Sequence, residues 1–493
     1  MIIVIKTNDG FINITTTGVT ITPYYKHQNV YLEKLTSTYD SVRHSREPIT
    51  GFFFDYEKTP MSFVTHKHDK TFLQNQFPGY MVKEIPPSYG TSLSQPISLN
   101  PDITPREVQY EMIQGVLDNK YLHQWFIYLS QGFGKTLLSI YLITYFNTKT
   151  LIMCYNTDIL KQWFHTMKDK TDANPKKILI IDSSLLLKKI LLGEFPVWEY
   201  DIFMCTPGLL VSFGKKVGFQ MLSALMDKMG IGFKIYDEAH RNIANIVKIN
   251  AFTSIDKTLY LSADFGQSAT SKEKLYFNLF YGVPILKPSD ELMNTLKYTT
   301  AIVMMYNSKP TELEKASMYT RRGISFYEYM KYQFTKDIFF DVLRYTIDMI
   351  GKTNVNHYKI LILVNMIEHV DQLYDILHDQ YGDKYIMGKY HSKISEEEKE
   401  FCRSTCDMII STYQSFSTGL DVSLIKYVIS CSLCTKIDDS QSSGRARPLP
   451  DGSDAFYFMF ADTGISYTKK KLSSRLGYLQ QTKIKQIQTV KYE

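Results

Sequence analysis

WFIYLSQGFGKTLLSIYLITYF, residues 125–146, decides how the chain is read. Five apolar residues with strand character run into SQGFGKT, which leads at once into a stretch with helical spacing. A glycine-containing turn from strand to helix directs several backbone N–H groups inward, at the helix end whose dipole favours an anion. Lys135 is then placed to reach the β and γ phosphates of a nucleotide, and the Thr136 hydroxyl to bind Mg2+. Gly132 and Gly134 supply the turn, while Leu129 stands five before Gly134, where the general phosphate-loop pattern has glycine.

Further apolar runs follow: TLIMCY at 150–155, ILIID at 178–182, DIFMC at 201–205, FKIYD at 233–237 and TLYLS at 258–262. Short apolar strands separated by helical periods predict a doubly wound parallel sheet buried on both faces. The pattern restarts with YTTAIVMMY at 298–306, KILILV at 359–364, DMIIST at 407–412, IKYVIS at 425–430 and AFYFMF at 455–460, so two consecutive α/β domains are expected. Residues 307–350 read as mostly helical and belong to the second. Before residue 85, β-prone runs such as FINITTTGVTITPYY and GFFFDY alternate with turn residues and predict a small β-rich or α+β accessory domain. The segment 84–105, with Pro86, Pro87, Pro96, Pro101 and Pro105, has the composition of a semi-rigid linker. The expected divisions are 1–97 for the accessory domain and linker, a candidate DNA-binding element, then 98–282, 283–465, and a basic tail at 466–493.

Composition narrows the class. At 493 residues, with 44% hydrophobic and 22% charged residues, the chain is globular and long enough for several cores. Six scattered cysteines suit reduced thiols, MIIVI is too short for a signal core, and no apolar run approaches a membrane span, so a cytoplasmic monomer away from membranes is expected. The 36 Tyr and 29 Phe suggest an AT-rich coding sequence, a hint of a viral source and hence of the host cytoplasm. The net charge of +6 is concentrated at the end: Lys469, Lys470, Lys471, Arg475, Lys483, Lys485 and Lys491 face Glu493 alone. Such a tail either lies along phosphates or is a solvated, frayed end.

A second chemical signal lies about 100 residues after the first. FKIYDEAHR sets Asp237 and Glu238 at the C-terminal edge of an apolar strand, where open α/β sheets bind ligands. Adjacent carboxylates there divide labour: Asp237 holds Mg2+, and Glu238 orients and deprotonates the water that attacks the γ phosphate.

With GFGKT and DEAH in this order, the chain resembles a DEAH-box-type superfamily 2 helicase, and CYNTDILKQW at 154–163 and ISTYQSFSTGLDV at 410–422 resemble the UvsW-like and Rad25-like branch, as in phage or large DNA virus helicases. The resemblance implies two tandem RecA-like domains and an ATP-dependent DNA helicase that works with Mg2+. By the same resemblance Arg106 and Gln109 grip the adenine; Gly132, Phe133, Gly134, Lys135, Thr136, His240, Gly419, Asp421 and Gln441 complete the nucleotide set; and Arg445 and Arg447 reach the γ phosphate. Gln162, Thr206, Pro207, Gly208, Thr412 and Gln414 are implied at the nucleic-acid backbone. Two features depart from the family pattern: Asp264 replaces a threonine in LSADFG, and Arg445 and Arg447 are two apart, followed by Pro448.

The activity implied is unwinding or remodelling of branched or duplex DNA in recombination, repair or replication. RNA is the alternative partner, for a viral transcript-release helicase. A different class, a nucleotide-gated DNA-binding module with vestigial hydrolysis, stays open. Zinc at Cys402, Cys406, Cys431 and Cys434, or a metal at His66 and His68, is the weaker reading beside buried thiols and a solvated strand.

Overall fold

Runs rich in β-branched and aromatic residues become strands here because helices cover both faces of each main sheet. The computed structural model describes residues 10–15, 19–23, 37–40, 45–48, 52–55, 62–65, 71, 74–75, 78–129, 132–263, 283, 285–295, 297–320, 323–354, 356–417, 422, 424–431, 442–443, 449, 451–479 and 484–492. The chain divides into two compact units, the first holding Met1–Leu129 and Phe133–Pro288, the second Ser130–Gly132 and Ser289–Glu493.

The first unit contains a seven-stranded sheet of β8 (Gln124–Tyr128), β9 (Thr150–Met153), β10 (Ile178–Ile180), β11 (Ile202–Cys205), β12 (Phe233–Tyr236), β13 (Lys257–Ser262) and β14 (Ile285–Leu286). Its order is β10-β11-β9-β12-β13-β8-β14, and every pairing is parallel. Its helices are α1 (Glu107–Asp118), α2 (Lys135–Phe146), α3 (Thr157–Lys170), α4 (Ser184–Leu192), α5 (Pro207–Val217), α6 (Met221–Met229) and α7 (Ile243–Phe252). Strands β9, β11 and β12 are buried along their whole length, as a sheet covered on both faces requires. Consecutive strands β8 and β9 are separated in the sheet by β12 and β13, so the loop after β8 opens beside the end of β12.

Ahead of it, β1 (Gly10–Ile14), β2 (Val19–Pro23), β5 (Phe52–Asp55), β6 (Ser62–Thr65) and β7 (Tyr80–Glu84) form a sheet in the order β5-β6-β2-β1-β7, and β3 (Ser37–Asp40) pairs with β4 (Ser45–Pro48). A small N-terminal β region is thus present. The proline-rich segment is not a spacer, however. Leu93 and Ile97 are buried in the first unit, and isolated bridges join Ser88 to Ile255, Ser92 to Thr148 and Leu99 to Thr171. The backbone N–H of Ser94 donates to the buried Asp201 carboxylate at 2.9 Å. Two apolar anchors and a buried acceptor that needs donors outweigh the extended composition.

The second unit has α8 (Asp290–Thr295), β15 (Thr299–Tyr306), α9 (Glu312–Met318), the ladder β16 (Tyr319–Thr320) and β17 (Gly323–Ile324), α10 (Phe326–Gln333), α11 (Asp337–Thr353), β18 (Lys359–Val364), α12 (Ile367–Tyr381), β19 (Met387–Tyr390), α13 (Glu396–Ser404), β20 (Met408–Thr412), α14 (Tyr413–Ser417), β21 (Ile425–Ser430), β22 (Ala455–Asp462), α15 (Ser466–Leu479) and β23 (Ile484–Lys491). Its sheet runs β19-β20-β18-β21-β22-β15-β23, again all parallel. The two units are tandem RecA-like domains.

The basic tail is folded as well. Residues 466–479 form α15, whose Thr468, Arg475 and Leu479 are buried, and residues 484–491 pair as β23 along β15. Ile487 packs into the core on one face of the sheet and Val490 into the core on the other, so apolar anchors spaced among lysines and glutamines hold a segment whose composition alone suggested a frayed end. No helix among the described residues is long and apolar enough to cross a membrane.

Candidate functional site

The loop after β8 is shaped by two glycines in left-handed conformation, Gly132 at φ 78° and Gly134 at φ 80°. A Cβ on Gly134 would stand 2.0 Å from Nε2 of Gln109 and 3.0 Å from a terminal nitrogen of Arg106. That crowding reflects a brace. Gln109, in the first turn of α1, donates to the carbonyls of Phe133 (3.2 Å) and Gly134 (3.0 Å) and accepts from the N–H of Arg106 (2.7 Å). Phe133 is buried, and α2 starts at Lys135 with no side-chain cap, which leaves its N-terminal N–H groups suited to an anion.

Lys135 is only 8% exposed, and its ammonium donates to Glu238 Oε1 at 2.9 Å. Beyond β12, the N–H of Asp237 still bonds the carbonyl of Met153 at 2.9 Å, holding the carboxylate pair at the sheet edge. Asp237 Oδ1 accepts from the N–H of Glu238 and Oδ2 from the indole N–H of Trp163, both at 2.9 Å. Glu238 adopts φ 49°, a left-handed conformation that costs about 1–3 kcal/mol for a non-glycine residue and clusters at functional sites. In the following turn, Nδ1 of His240 lies 2.8 Å from the Ser262 hydroxyl at the end of β13 and 3.5 Å from Glu238 Oε2.

The electrostatics separate the two carboxyls. Burial, then the charge of Glu238, raises Asp237 above the usual carboxylate range, against the opposing pull of Lys135 and Trp163. Burial would raise Glu238 as well, but the charges of Lys135 and His240 outweigh it and hold Glu238 ionised, below its ordinary value. The Asp237 carboxylate and the Thr136 hydroxyl are hard oxygen donors, and a cation beside a carboxyl raised by burial would favour its charged form, so these residues fit Mg2+.

Of the residues expected at nucleic acid, Thr206 and Thr412 sit at strand ends. Gln162 precedes Trp163 on α3. The Thr206 hydroxyl caps α5 by accepting from the N–H of Leu209 (3.3 Å), Pro207 begins that helix, and Gly208 is exposed with open space where a Cβ would go. In the second unit, the Thr412 hydroxyl accepts from the N–H of Ser415 (3.1 Å) at the end of β20, and Gln414 is exposed. Asp264, Gly419, Asp421, Gln441, Arg445 and Arg447 lie outside the described residues, as do Cys434 and the pair His66 and His68. Cys402, Cys406 and Cys431 are buried free thiols. In the sequence Ser262 stands within LSADFG with no site role of its own, and Trp163 only as the end of the segment CYNTDILKQW. Trp163 is buried, and the signal it carried was that a buried indole usually finds a partner for its N–H.

Residues 102–272 match the family described as Type III restriction enzyme, res subunit, and residues 341–447 match the Helicase conserved C-terminal domain, together more than half of the chain. No curated protein matches it by sequence. Among solved structures, S. cerevisiae Dbp5 bound to RNA and ADP BeF3 aligns at TM-score 0.53 and 14% identity, over 79% of this chain and 90% of that one. Mss116p bound to ssRNA and AMP-PNP aligns at TM-score 0.51 and 16% identity, over 79% and 74%. T4 UvsW aligns at TM-score 0.34 and 16% identity, over 98% and 99%. The likeness to the first two is one of fold, and it agrees with the succession of the two family matches along two parallel sheets. The chain belongs to the superfamily 2 helicases.

Proposed function

We propose that the chain is an ATP-driven motor on DNA, similar to the UvsW-like helicases, that couples hydrolysis to unwinding or remodelling of branched or duplex DNA in recombination, repair or replication. The buried Lys135–Glu238 pair carries this reading. An arriving triphosphate offers Lys135 a more highly charged partner. As the ammonium turns to the phosphates, Glu238 is released to orient and deprotonate the attacking water.

Asp237 and Thr136 would hold Mg2+, which when bound offsets the charge on the phosphates. Gln109, which braces the loop, and Arg106 would meet the base end of the nucleotide. Trp163 supplies the link to nucleic acid: it ends the ILKQW segment and holds Asp237, so contact at Gln162 lies one residue from a side chain that positions the metal-binding carboxylate. Thr206, Pro207, Gly208, Thr412 and Gln414 are assigned to the phosphate backbone. A motor that grips phosphates is nearly sequence-independent and weakens as salt rises.

The preference for DNA rests on the small N-terminal β region ahead of two α/β domains and on the ILKQW and SFSTGLD segments. The test is steady-state ATP hydrolysis with no nucleic acid, single-stranded DNA, duplex DNA, a four-way junction and RNA, with Lys135→Ala as the control for contaminating activity. Greatest stimulation by the junction is expected. Stimulation by RNA alone would replace the reading with transcript release, and none by any of them with a nucleotide-gated binding module.

A further inference from the structure

Three residues before Asp237, Lys234 is fully buried on β12. Its ammonium donates to Asn250 Oδ1 (2.9 Å) and to the Thr253 hydroxyl (3.0 Å). Asn250 Oδ1 also accepts from the Tyr236 hydroxyl (2.9 Å), and its Nδ2 donates to the Tyr260 hydroxyl (2.7 Å), which donates to Gln124 Oε1 (3.3 Å). Asn250 Oδ1 receives both Lys234 and Tyr236 while its Nδ2 donates onward, so one amide near the end of α7 fastens that helix to β12, β13 and β8.

Another contact of Asn250 comes from the N-terminal β region. A helix leaves its last carbonyls without intrahelical partners. At the end of α7, the Thr253 hydroxyl donates to the carbonyl of Ile249 (2.8 Å), and the hydroxyl of Thr15, just past β1, donates to the carbonyl of Asn250 (2.9 Å). Close by, the Ser254 hydroxyl donates to the carbonyl of Ile85 (3.0 Å), and α7 packs on β2 and β6. The opposite end of α7 begins at Ile243, directly after the turn Ala239–Asn242 that follows Asp237 and Glu238. A left-handed glutamate persists only where its surroundings over-determine it, and Glu238 is held between β12 on one side and α7 on the other.

We propose that the N-terminal sheet is a positioning element for hydrolysis: Thr15 fixes the end of α7 at Asn250, and α7 transmits that constraint to the turn carrying Glu238. The inference rests on the reading of Glu238 as the base for ATP hydrolysis. Thr15 and Asn250 are positioning residues, since neither is placed against substrate.

The test uses full-length Thr15→Val, which keeps the side-chain shape without the hydroxyl, and Thr15→Ser, which restores it. For Thr15→Val, kcat for ATP should fall by up to about tenfold, the scale of one lost hydrogen bond. Its KM and melting temperature should stay near wild type, and amide exchange across residues 238–246 should speed up; Thr15→Ser should recover both kcat and exchange. Wild-type kcat and exchange in Thr15→Val would overturn the proposal, as would a loss that serine does not rescue or one that tracks a lowered melting temperature. If the wild-type chain does not hydrolyse ATP, the functional reading fails by itself, and the exchange comparison still decides whether Thr15 constrains the Glu238 turn.

Discussion

Lys135 and Glu238 neutralise each other inside the first unit, so replacing either one unbalances a buried charge as well as removing a functional group. Lys135→Ala is expected to lower ATP turnover by roughly 100-fold or more through lost phosphate positioning. Glu238→Gln should retain nucleotide binding, followed with a fluorescent ATP analogue, while turnover falls on the order of 100- to 10,000-fold. Wild-type turnover by purified Glu238→Gln would sink the assignment. Lys234 allows a different kind of test. Burial lowers its pKa to about 7, so between that value and its ordinary value the unfolded chain binds a proton that the folded chain does not. Stability contributed by this site therefore rises with pH through that window, by roughly 1 kcal/mol per unit, and is lowest at and below neutrality. Chemical denaturation from pH 7 to pH 10 should show this rise in wild type relative to Lys234→Met, and parallel curves would refute it. The site residues divide along the same lines in how far they could be read. GFGKT and DEAH were legible because their chemistry is local, glycines before a helix and carboxylates after a strand. The Trp163–Asp237 bond and the Lys234–Asn250 network were not, because each joins residues that only the folded sheet brings together.

Among the elements, most strands that sequence revealed are buried on both faces, where apolar residues dominate. MGKY, which becomes β19, and IKQIQTVK, which becomes β23, escaped that criterion because glycine, lysine and glutamine interrupt them at the two edges of the second sheet. The same is true of the proline-rich segment, whose few anchors matter more than its average. The folded state of residues 466–491 changes what a deletion would report. Removing residues 466–493 would strip an edge strand and the buried Arg475, which donates to the Ser430 hydroxyl at 3.1 Å, and should unfold or aggregate the second unit. The question of nucleic-acid contact is better put to Lys469, Lys470 and Lys471, which are exposed on α15. If all three meet phosphates, replacing them with glutamine should flatten the slope of log affinity against log salt for duplex DNA by about 3, without lowering the melting temperature. An unchanged slope would assign them to solvation alone.

On the scale of the whole molecule, each unit carries its own parallel sheet and cores, and Lys135, Thr136, Asp237 and Glu238 all belong to the first. A nonhydrolysable ATP analogue at about 100 times its dissociation constant should stabilise that unit by about 2.7 kcal/mol. In calorimetry the shift should be present in wild type and absent in Lys135→Ala; a shift that survives the substitution would place the nucleotide elsewhere. The pairing of β15 with β23 has a consequence for how the protein is made. The first strand of the second sheet lies between β22 and β23, and β23 is separated from it by nearly the whole length of the unit. During synthesis, β15 must wait with one edge open until residues 484–491 leave the ribosome, and a message cut short before them yields a chain that displays TTAIVMMY as an unprotected apolar edge. Such a product is a template for aggregation and a target for chaperones and proteases, so β23 doubles as a seal over the open edge of β15.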